Sequence, residues 1–423
     1  MENPRGKTRL DTGAEAFVPP ARRFLETAAR RRKAAAYYVR DDEGWKPTRW
    51  DVFRGEVRQA ARALIALGVE KGDVIGIFGF TRPEWVIMDL AAMMVGAAPA
   101  GIYFTSSAQD AAYIVNHSQC KIVLAEHQEH FNKIASNRSG LNCLRHVIMM
   151  KGETAPDPLQ MTWDAFLAMG DPRFDGEVEA RLQATLPEDI GTLIYTSGTT
   201  GPPKAVQLSH GALAFTASVV RKVWKVSSSD RLISYLPLAH IAEQMITIHF
   251  QTVVGNSVYF AKSLQDLPQN LVEVRPTLFF GVPRLFEKMA SAAQSKLPAP
   301  ATAKGKLARW ALGVGQEWRR REGESLRRGV NLYASKAIAS AILHRKAKKA
   351  MGMDKARLVA CGAAPISEDT LRLLNGLDIP IRELWGLSET SGAAPQATSF
   401  ALSNPIAFFA FRCRMADAIA LET

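Results

Sequence analysis

The stretch with the clearest chemical potential is TSGTTGPPK, residues 196–204. Its two glycines let backbone N–H groups approach an anion without interference from a Cβ, and its hydroxyls and lysine add further donors. This inventory favours a polyphosphate ligand held by Thr196, Ser197, Gly198, Thr199, Thr200, Gly201 and Lys204. Two prolines separate the second glycine from the lysine, so the loop does not fit the G-x-x-x-x-G-K-[ST] pattern of ordinary kinases and ATPases. A flexible linker is the alternative interpretation.

The residues around this loop alternate between strand and helix patterns. Residues 191–195 predict a strand and residues 209–224 a helix, so we expect the loop to connect a strand to a helix. Residues 50–69 predict a helix that ends at a glycine, 73–79 a buried strand, and 82–96 a helix with proline in its first turn. Helices between short apolar strands indicate parallel sheets covered on both faces. The sequence therefore predicts a large α/β protein, doubly wound in two similar lobes with mostly parallel sheets.

The overall composition is that of a folded globular protein with excess positive charge. Of 423 residues, 47% are hydrophobic, and 53 Lys and Arg outnumber 41 Asp and Glu, which gives a net charge of +12. This balance favours anionic partners, although solvated basic helix faces produce the same composition. The four cysteines are too widely spaced for a zinc knuckle or a disulfide framework. The N-terminus has no apolar segment of signal-peptide length, and we expect a cytoplasmic location.

The most basic part of the chain, residues 291–356, has a helical pattern with Trp310 and Trp318 among its charges. Three interpretations are open: exposed helices attached to the core, peripheral contact with an anionic membrane surface, and contact with coenzyme phosphates. The sequence shows no nucleic-acid-binding module, so we expect no nucleic-acid partner. The longest apolar stretch, residues 86–104, contains Asp89 and Pro99 and predicts a buried helix followed by a strand instead of a membrane span.

Four motifs, in order along the chain, resemble those of the AMP-forming acyl-adenylating superfamily of acyl-CoA synthetases, peptide-synthetase adenylation domains and luciferases. YTSGTTGPPKAV is similar to its phosphate-loop signature, and YLPLAHIAEQ (235–244) to the segment beside its acyl pocket. CGAAPIS (361–367) resembles its adenine-contacting segment, and WGLSETSG (385–392) its aromatic-Gly-x-[ST]-E-[ST] motif. SYLPLAH, FFGVPRLFEKM and IVNHSQCKIVLAE look most like long-chain fatty-acid–CoA ligases, including the bubblegum type. The resemblance covers about residues 40–393.

This resemblance implies substrates and site residues. Members of the superfamily let a carboxylate attack the α-phosphate of ATP, which gives acyl-adenylate and pyrophosphate, and coenzyme A then displaces AMP. By resemblance, Glu389 and Thr196 hold Mg²⁺, and Lys204 and the loop hold the β- and γ-phosphates. His240 is placed near the acyl carboxylate, although a lone histidine at a strand end is more often a core residue. The remaining nucleotide contacts are assigned to Gly362, Ala363, Ala364, Pro365, Trp385, Gly386, Leu387, Ser388 and Thr390.

The sequence divides into four predicted segments: an N-terminal extension (1–40), a first α/β lobe (41–190), a second α/β lobe (191–393) and a divergent tail (394–423). The tail resembles neither the ribose-binding aspartate segment, nor the hinge, nor the small mobile C-terminal domain of the superfamily. We therefore expect a C-terminally truncated member without the lysine that the small domain supplies for adenylate formation.

Three functional interpretations follow from the motifs and the tail. The preferred one is ATP-dependent activation of a long-chain fatty acid to acyl-adenylate and then acyl-CoA, with activity impaired or absent because of the truncation. The second is a non-catalytic homologue that binds nucleotide or an acyl chain. The third is an adenylate-forming ligase for another carboxylic acid. The expected small-molecule partners of the enzyme are a fatty acid, MgATP and coenzyme A.

Overall fold

The structure is a computed structural model that describes residues 17–152, 157–196, 202–384 and 386–391. Its strands are β1 (Ala35–Arg40), β2 (Trp45–Arg49), β3 (Val74–Phe78), β4 (Ala98–Ile102), β5 (Ile122–Ala125), β6 (His146–Met149), β7 (Gln160–Thr162), β8 (Ile190–Thr196), β9 (Lys204–Ser209), β10 (Arg231–Ser234), β11 (Ser257–Phe260), β12 (Leu278–Gly281), β13 (Leu358–Cys361) and β14 (Ile381–Glu383).

Helices separate most of these strands. They are α1 (Pro20–Arg31), α2 (Trp50–Ala66), α3 (Pro83–Met94), α4 (Ala108–His117), α5 (Gln128–Ala135), α6 (Trp163–Ala168), α7 (Asp175–Gln183), α8 (His210–Trp224), α9 (Ile241–Gln244), α10 (Phe250–Val254), α11 (Leu267–Val274), α12 (Pro283–Ser295), α13 (Ala303–Gly323), α14 (Val330–Ala339), α15 (Arg345–Ala350) and α16 (Glu368–Gly376). A π-helical turn, Met245–His249, joins α9 to α10, and another, Ser340–His344, joins α14 to α15. Within the described ranges, no helix is both long and apolar enough to cross a membrane.

The first sheet has the strand order β7-β6-β5-β3-β4-β8-β9. Its strands are parallel except for β9, which runs antiparallel to β8 at one edge. Central strands such as β4 and β5 are buried along their whole length, as expected of strands covered on both faces. The mostly parallel α/β architecture predicted from the sequence is confirmed here.

The second sheet has the order β14-β13-β12-β10-β11-β1-β2. Its strands are parallel up to β1, and β2 pairs antiparallel with β1 at the edge. Two short strands from near residue 40 therefore complete a sheet built mainly from residues 231–383. Conversely, β8 and β9 lie in the first sheet, because β8 pairs in parallel with β4. The division between the sheets thus differs from the predicted lobe boundaries at residues 40 and 190.

One prediction about the glycine-rich loop is wrong: it connects two strands and does not lead directly into a helix. Residues 204–209 form β9, whose register pairs Thr196 with Lys204 and Ile194 with Val206. Val206 and the buried Leu208 pack with Ile194 and α8, and this packing stabilises the stretch as an edge strand. Helix α8 then begins at His210, with Ser209 as its N-cap.

The largest buried cluster lies between α1, α2 and α3 and includes strand residues of both sheets. Helix α2 ends as predicted before Gly68, which has a φ of 74°. Helix α3 begins as predicted with Pro83 in its first turn. The segment before α9 packs tightly on the first sheet, since a Cβ on Gly101 would lie 2.6 Å from the Cα of Ala239. This contact joins β4 to the chain that carries His240.

The basic segment forms α13–α15, which contact the rest of the protein through apolar packing and through one buried carboxylate, Asp378. Asp378 forms ion pairs with Arg319 (2.5 Å), Lys336 (2.8 Å) and Lys348 (2.7 Å). Burial raises the pKa of Asp378, but the charge of Arg319 and the hydrogen bonds from the two lysines outweigh it and bring the pKa to about 2. Three cations around one carboxylate thus add to the apolar packing of Leu312, Leu343 and Ala347, which also holds these helices in place.

Candidate active site

A cavity of about 290 Å³ opens at the carboxyl ends of strands from both sheets. Its walls come from the ends of β8, β12, β13 and β14, from α8, and from the segment 240–250. Ligand sites of parallel α/β proteins characteristically lie at this edge of the strands. The lining combines a polar group, which includes Thr196, His240, Ser388 and Glu389, with a larger group of apolar side chains.

Thr196, the last residue of β8, lines the cavity. Lys204 is exposed and begins β9, directly opposite Thr196 in the ladder. The antiparallel pairing fixes where the glycine-rich loop leaves and rejoins the sheet, but Lys204 itself is not among the residues that line the cavity. Ser197, Gly198, Thr199, Thr200 and Gly201 lie outside the described residues.

A short 3-10 turn, Ser388–Thr390, brings Glu389 to the same cavity as Thr196. Gly386, Leu387 and Ser388 also line it. Thr390 does not line the cavity, but its Oγ1 accepts a hydrogen bond from Leu387 N–H and donates one to Leu387 O, both at 3.0 Å. Thr390 therefore stabilises the turn through these two hydrogen bonds. Trp385 lies outside the described residues.

Thr196 and Glu389 are 193 positions apart (389 − 196) and nevertheless border one cavity. A hydroxyl and a carboxylate are hard oxygen donors of the kind that Mg²⁺ binds through one or two protein ligands, with phosphates and water completing its shell. The chemistry of this pair fits a magnesium–triphosphate complex. Their assignment as Mg²⁺ ligands stays a prediction.

The segment after β13 forms the wall predicted to face adenine. Gly362 and Ala363 line the cavity, whereas Ala364 and Pro365 are exposed and are not among its lining residues. A Cβ on Gly362 would lie 3.2 Å from Leu384 O, so only glycine fits here without displacing its neighbours. Ala363 has a φ of 71°, an unusual left-handed conformation for a residue with a side chain. Gly362 and Ala363 thus present only backbone and one methyl group to the cavity.

His240 lines the cavity from the N-terminus of α9. Its Nδ1 accepts a hydrogen bond from Ala242 N–H at 3.2 Å. Burial lowers the pKa of His240, so the neutral ring dominates at neutral pH. Because Nδ1 is the acceptor, the proton of the neutral ring is on Nε2, which can donate a hydrogen bond to an anionic oxygen. This tautomer is assigned from the hydrogen bond.

Most of the apolar wall of the cavity was not identified from the sequence, and only Ile241 and Ala242 belong to the segment 235–244 that resembles the one beside the acyl pocket. Helix α8, segment 241–250, strand β12 and the residue that follows β14 contribute Val220, Trp224, Ile241, Ala242, Met245, Ile246, Phe250, Phe280 and Leu384. Several of these residues fall in the π-helical turn Met245–His249 or next to it. Helical periodicity marks such residues as apolar but does not say whether they face a core or a cavity. The wide turn, typical of functional sites, has no sequence signal.

Glu243 was also not predicted as a functional residue, although it falls within the quoted motif at 235–244. Its carboxylate is buried, and Oε1 accepts hydrogen bonds from Ser234 Oγ (2.6 Å) and Thr247 Oγ1 (2.8 Å). Burial raises the pKa of Glu243 to about 7, although these hydroxyls act in the opposite direction. The carboxyl group ties the end of β10 to the helix that carries the apolar wall.

Comparison with known proteins identifies the family of this chain. A sequence profile of the family described as AMP-binding enzyme matches residues 24–407. The chain belongs to the AMP-binding enzyme family. This AMP-binding enzyme is 35% identical over 397 residues to the long-chain-fatty-acid–CoA ligase ACSBG2 of Xenopus laevis, covering 91% of the chain and 53% of the relative. It is 34% identical over 351 residues to the long-chain-fatty-acid–CoA ligase FadD15 of Mycobacterium bovis, covering 80% and 55%.

The AMP-binding enzyme also shares its fold with solved structures. The anthranilate CoA ligase AuaEII in complex with anthranoyl-AMP matches with a TM-score of 0.67 and 18% identity over 90% of this chain and 62% of that one. A long-chain-fatty-acid-CoA ligase, FadD1, from Archaeoglobus fulgidus matches with a TM-score of 0.65 and 17% identity, covering 89% and 65%. The chain spans about half the length of the curated relatives it matches.

Proposed function

We propose that this AMP-binding enzyme activates a long-chain fatty acid with MgATP and transfers the acyl group to coenzyme A. The observation that carries the proposal is the composition of one cavity. Its lining combines the polar side chains of Thr196, Ser388 and Glu389 with a larger set of aliphatic and aromatic side chains. A substrate with a carboxylate head and an apolar tail fits such a lining, because burial of the tail removes apolar surface from water and stabilises the complex.

In the first step, an oxygen of the carboxylate attacks the α-phosphorus of ATP. The bond from that phosphorus to the bridging oxygen breaks, and pyrophosphate leaves with the electron pair. Glu389 and Thr196 would hold Mg²⁺, which supplies charge neutralisation at the phosphates. Lys204 and the adjoining loop would bind the outer phosphates, and His240 would orient the carboxylate through its Nε2–H. Preorganised donors of this kind stabilise the charge that develops in the transition state.

In the second step, the thiolate of coenzyme A attacks the acyl carbonyl carbon. The bond from this carbon to the phosphate oxygen breaks and AMP leaves, so the thioester forms without a covalent enzyme intermediate. Coenzyme A must release its thiol proton to water or to AMP. The first step therefore needs no thiol, and the two steps can be measured separately.

Pyrophosphate release from ATP tests the proposed activity. We expect release that depends on palmitate, with a faster steady state when coenzyme A is added. Glu389→Ala should abolish release, because the carboxylate that holds the metal is lost. Glu368→Ala is the matched control, since Glu368 is an exposed carboxylate on α16 that does not line the cavity. Pyrophosphate release without dependence on palmitate would contradict the fatty-acid assignment.

Thermal stabilisation by MgATP tests the nucleotide site without turnover. We expect a higher melting temperature for the wild type and for Glu368→Ala, and no increase for Glu389→Ala. Stabilisation without palmitate-dependent release would instead support the non-catalytic interpretation, in which the chain binds nucleotide only. Absence of both effects would refute a working nucleotide site.

We also propose that α13–α15 contact an anionic membrane surface. Residues 291–356 contain 15 Lys and Arg against 4 Asp and Glu, a net charge of +11. Exposed apolar side chains, among them Trp310, Val330 and Ile338, lie on the same helices. Basic and apolar side chains together favour interfacial binding. Co-sedimentation with phosphatidylserine vesicles, but not with phosphatidylcholine vesicles, is the expected result, and equal sedimentation with both would contradict it.

A further inference from the structure

A second cluster of possible ligand atoms lies at the carboxyl edge of the first sheet, apart from the cavity. Glu126 directly follows β5, His127 is the N-cap of α5, and His130 is one helical turn further along. Glu126 and His130 are buried and His127 is half-buried. None of the three lines the candidate active site.

The separations within this cluster are suited to a shared ion. One ligand atom from each residue lies within 4.8 Å of the others. Nδ1 of His127 and Nδ1 of His130 are 3.3 Å apart. Two imidazole nitrogens bound to tetrahedral Zn²⁺ at about 2.0–2.1 Å are separated by about 3.3–3.4 Å. The two rings therefore already have the spacing of one edge of a zinc tetrahedron.

The other nitrogen of His130 has the partner that metal-binding histidines usually have. Nε2 of His130 is 3.2 Å from the carbonyl oxygen of Phe104, a geometry in which Nε2–H donates. With the proton of the neutral ring on Nε2, the lone pair is on Nδ1 and points to His127. The edge-on ring of Phe78, with its centroid 4.4 Å from that of His130, further fixes the imidazole. Such outer contacts orient the ligands of metal sites.

Glu126 supplies the third ligand, and Lys151 competes with a metal ion for its carboxylate. Its Oε2 accepts a hydrogen bond from Phe80 N–H (2.7 Å), and its Oε1 pairs with Lys151 Nζ (3.1 Å). Each carboxylate oxygen has two lone pairs, so either can bind a metal while keeping its hydrogen bond. The Lys151 side chain is 48% exposed and can turn into solvent when a cation binds.

We propose that Glu126, His127 and His130 bind a zinc ion, with water as the fourth ligand. Two imidazoles and one carboxylate are a donor set that binds Zn²⁺ and leaves one position open. The site is chemically different from the oxygen-only pair at the cavity, which suits Mg²⁺. Without metal, the two rings share a single hydrogen bond between Nδ1 atoms, and this is the competing interpretation. Bound zinc would fix the start of α5 against β3 and β4.

Cobalt titration of the chelator-treated full chain tests the site, because four-coordinate Co²⁺ has intense visible absorption bands that six-coordinate Co²⁺ lacks. We expect saturation at one equivalent, displacement by Zn²⁺, and a rise in melting temperature with either ion. His127→Gln, His130→Gln and Glu126→Gln should each weaken cobalt binding at least about tenfold, since even outer-shell changes have effects of that size.

His146→Gln is the matched control, because His146 begins the neighbouring strand β6 but does not belong to the cluster. It should bind cobalt like the wild type. Melting curves without metal establish that each variant folds. If His130→Gln does not fold, the half-buried His127→Gln carries the test. Absence of the visible bands in the wild type, or their persistence in a folded His127→Gln variant, would overturn the proposal.

Discussion

Replacing Glu243 by glutamine should change how stability depends on pH. The Gln side chain keeps the shape of Glu243, and its amide oxygen can accept the hydrogen bonds from Ser234 and Thr247 that Oε1 accepts now. It cannot ionise. The difference in unfolding free energy between the wild type and Glu243→Gln therefore isolates the titration of this buried carboxyl group.

The folded protein holds the Glu243 proton more tightly than the unfolded chain does, since burial raises the pKa from 4.5 to about 7. Stability from this group is fully present below about pH 4.5 and is lost as the pH rises through about 7. Proton linkage with these two pKa values gives a loss of about 2.5 kcal/mol between pH 5 and pH 8. The unfolding free energy of the wild type, measured against that of Glu243→Gln, should therefore fall by about 2.5 kcal/mol from pH 5 to pH 8.

Urea denaturation of both proteins at pH 5 and pH 8 measures the difference. Glu273→Gln is a suitable control, because the hydrogen bond from Arg40 lowers the pKa of Glu273 to about 2. Glu273 is thus mainly ionised between pH 5 and pH 8 in both the folded and the unfolded state. The difference in unfolding free energy between Glu273→Gln and the wild type should therefore change little with pH. Parallel pH dependence of the wild type and Glu243→Gln would refute the reasoning, since Glu243 would then ionise at its ordinary pKa.

Three further changes probe other parts of the molecule. Asp378→Asn should lower the unfolding free energy by about 3–5 kcal/mol, because three cations lose their buried partner; a loss below 1 kcal/mol in urea denaturation would contradict this. Thr390→Val should reduce thermal stabilisation by MgATP, because the turn that holds Glu389 loses its hydrogen bonds, and an unchanged shift would argue against that positioning role. Met245→Trp should reduce palmitate-dependent pyrophosphate release while stabilisation by MgATP persists; unaltered release would show that the apolar wall does not bind the acyl chain.

The parts of the fold that depend on local pattern could be predicted from the sequence. Helix α3 has proline at its start and β3 is a continuous apolar run, and both form where expected. Strand β9 could not be predicted in the same way. Its six residues are stabilised by pairing with β8 and by packing of Leu208 against α8, which are contacts that no local pattern encodes.

The residues of the candidate site also divide into those that the sequence predicts and those that it does not. Motifs located Thr196, His240, Gly362 and Glu389, because their residue types are constrained by chemistry. Most of the apolar wall, and Glu243, were not predicted, for a different reason. An apolar residue on a helix has the same periodicity whether it faces a core or a cavity, and the raised pKa of Glu243 results from burial that only the assembled structure reveals.

The pairing of β1 with β11 has a consequence for synthesis on the ribosome. Tyr37 and Val258 are register partners 221 positions apart (258 − 37). At about 5–20 residues per second, the nascent chain carries β1 for about 10–45 s before its parallel neighbour has been translated. During that interval β1 has only the hairpin partner β2, and an isolated hairpin is marginally stable in water. Chaperones that bind extended apolar segments would therefore meet AAYYVR early in translation.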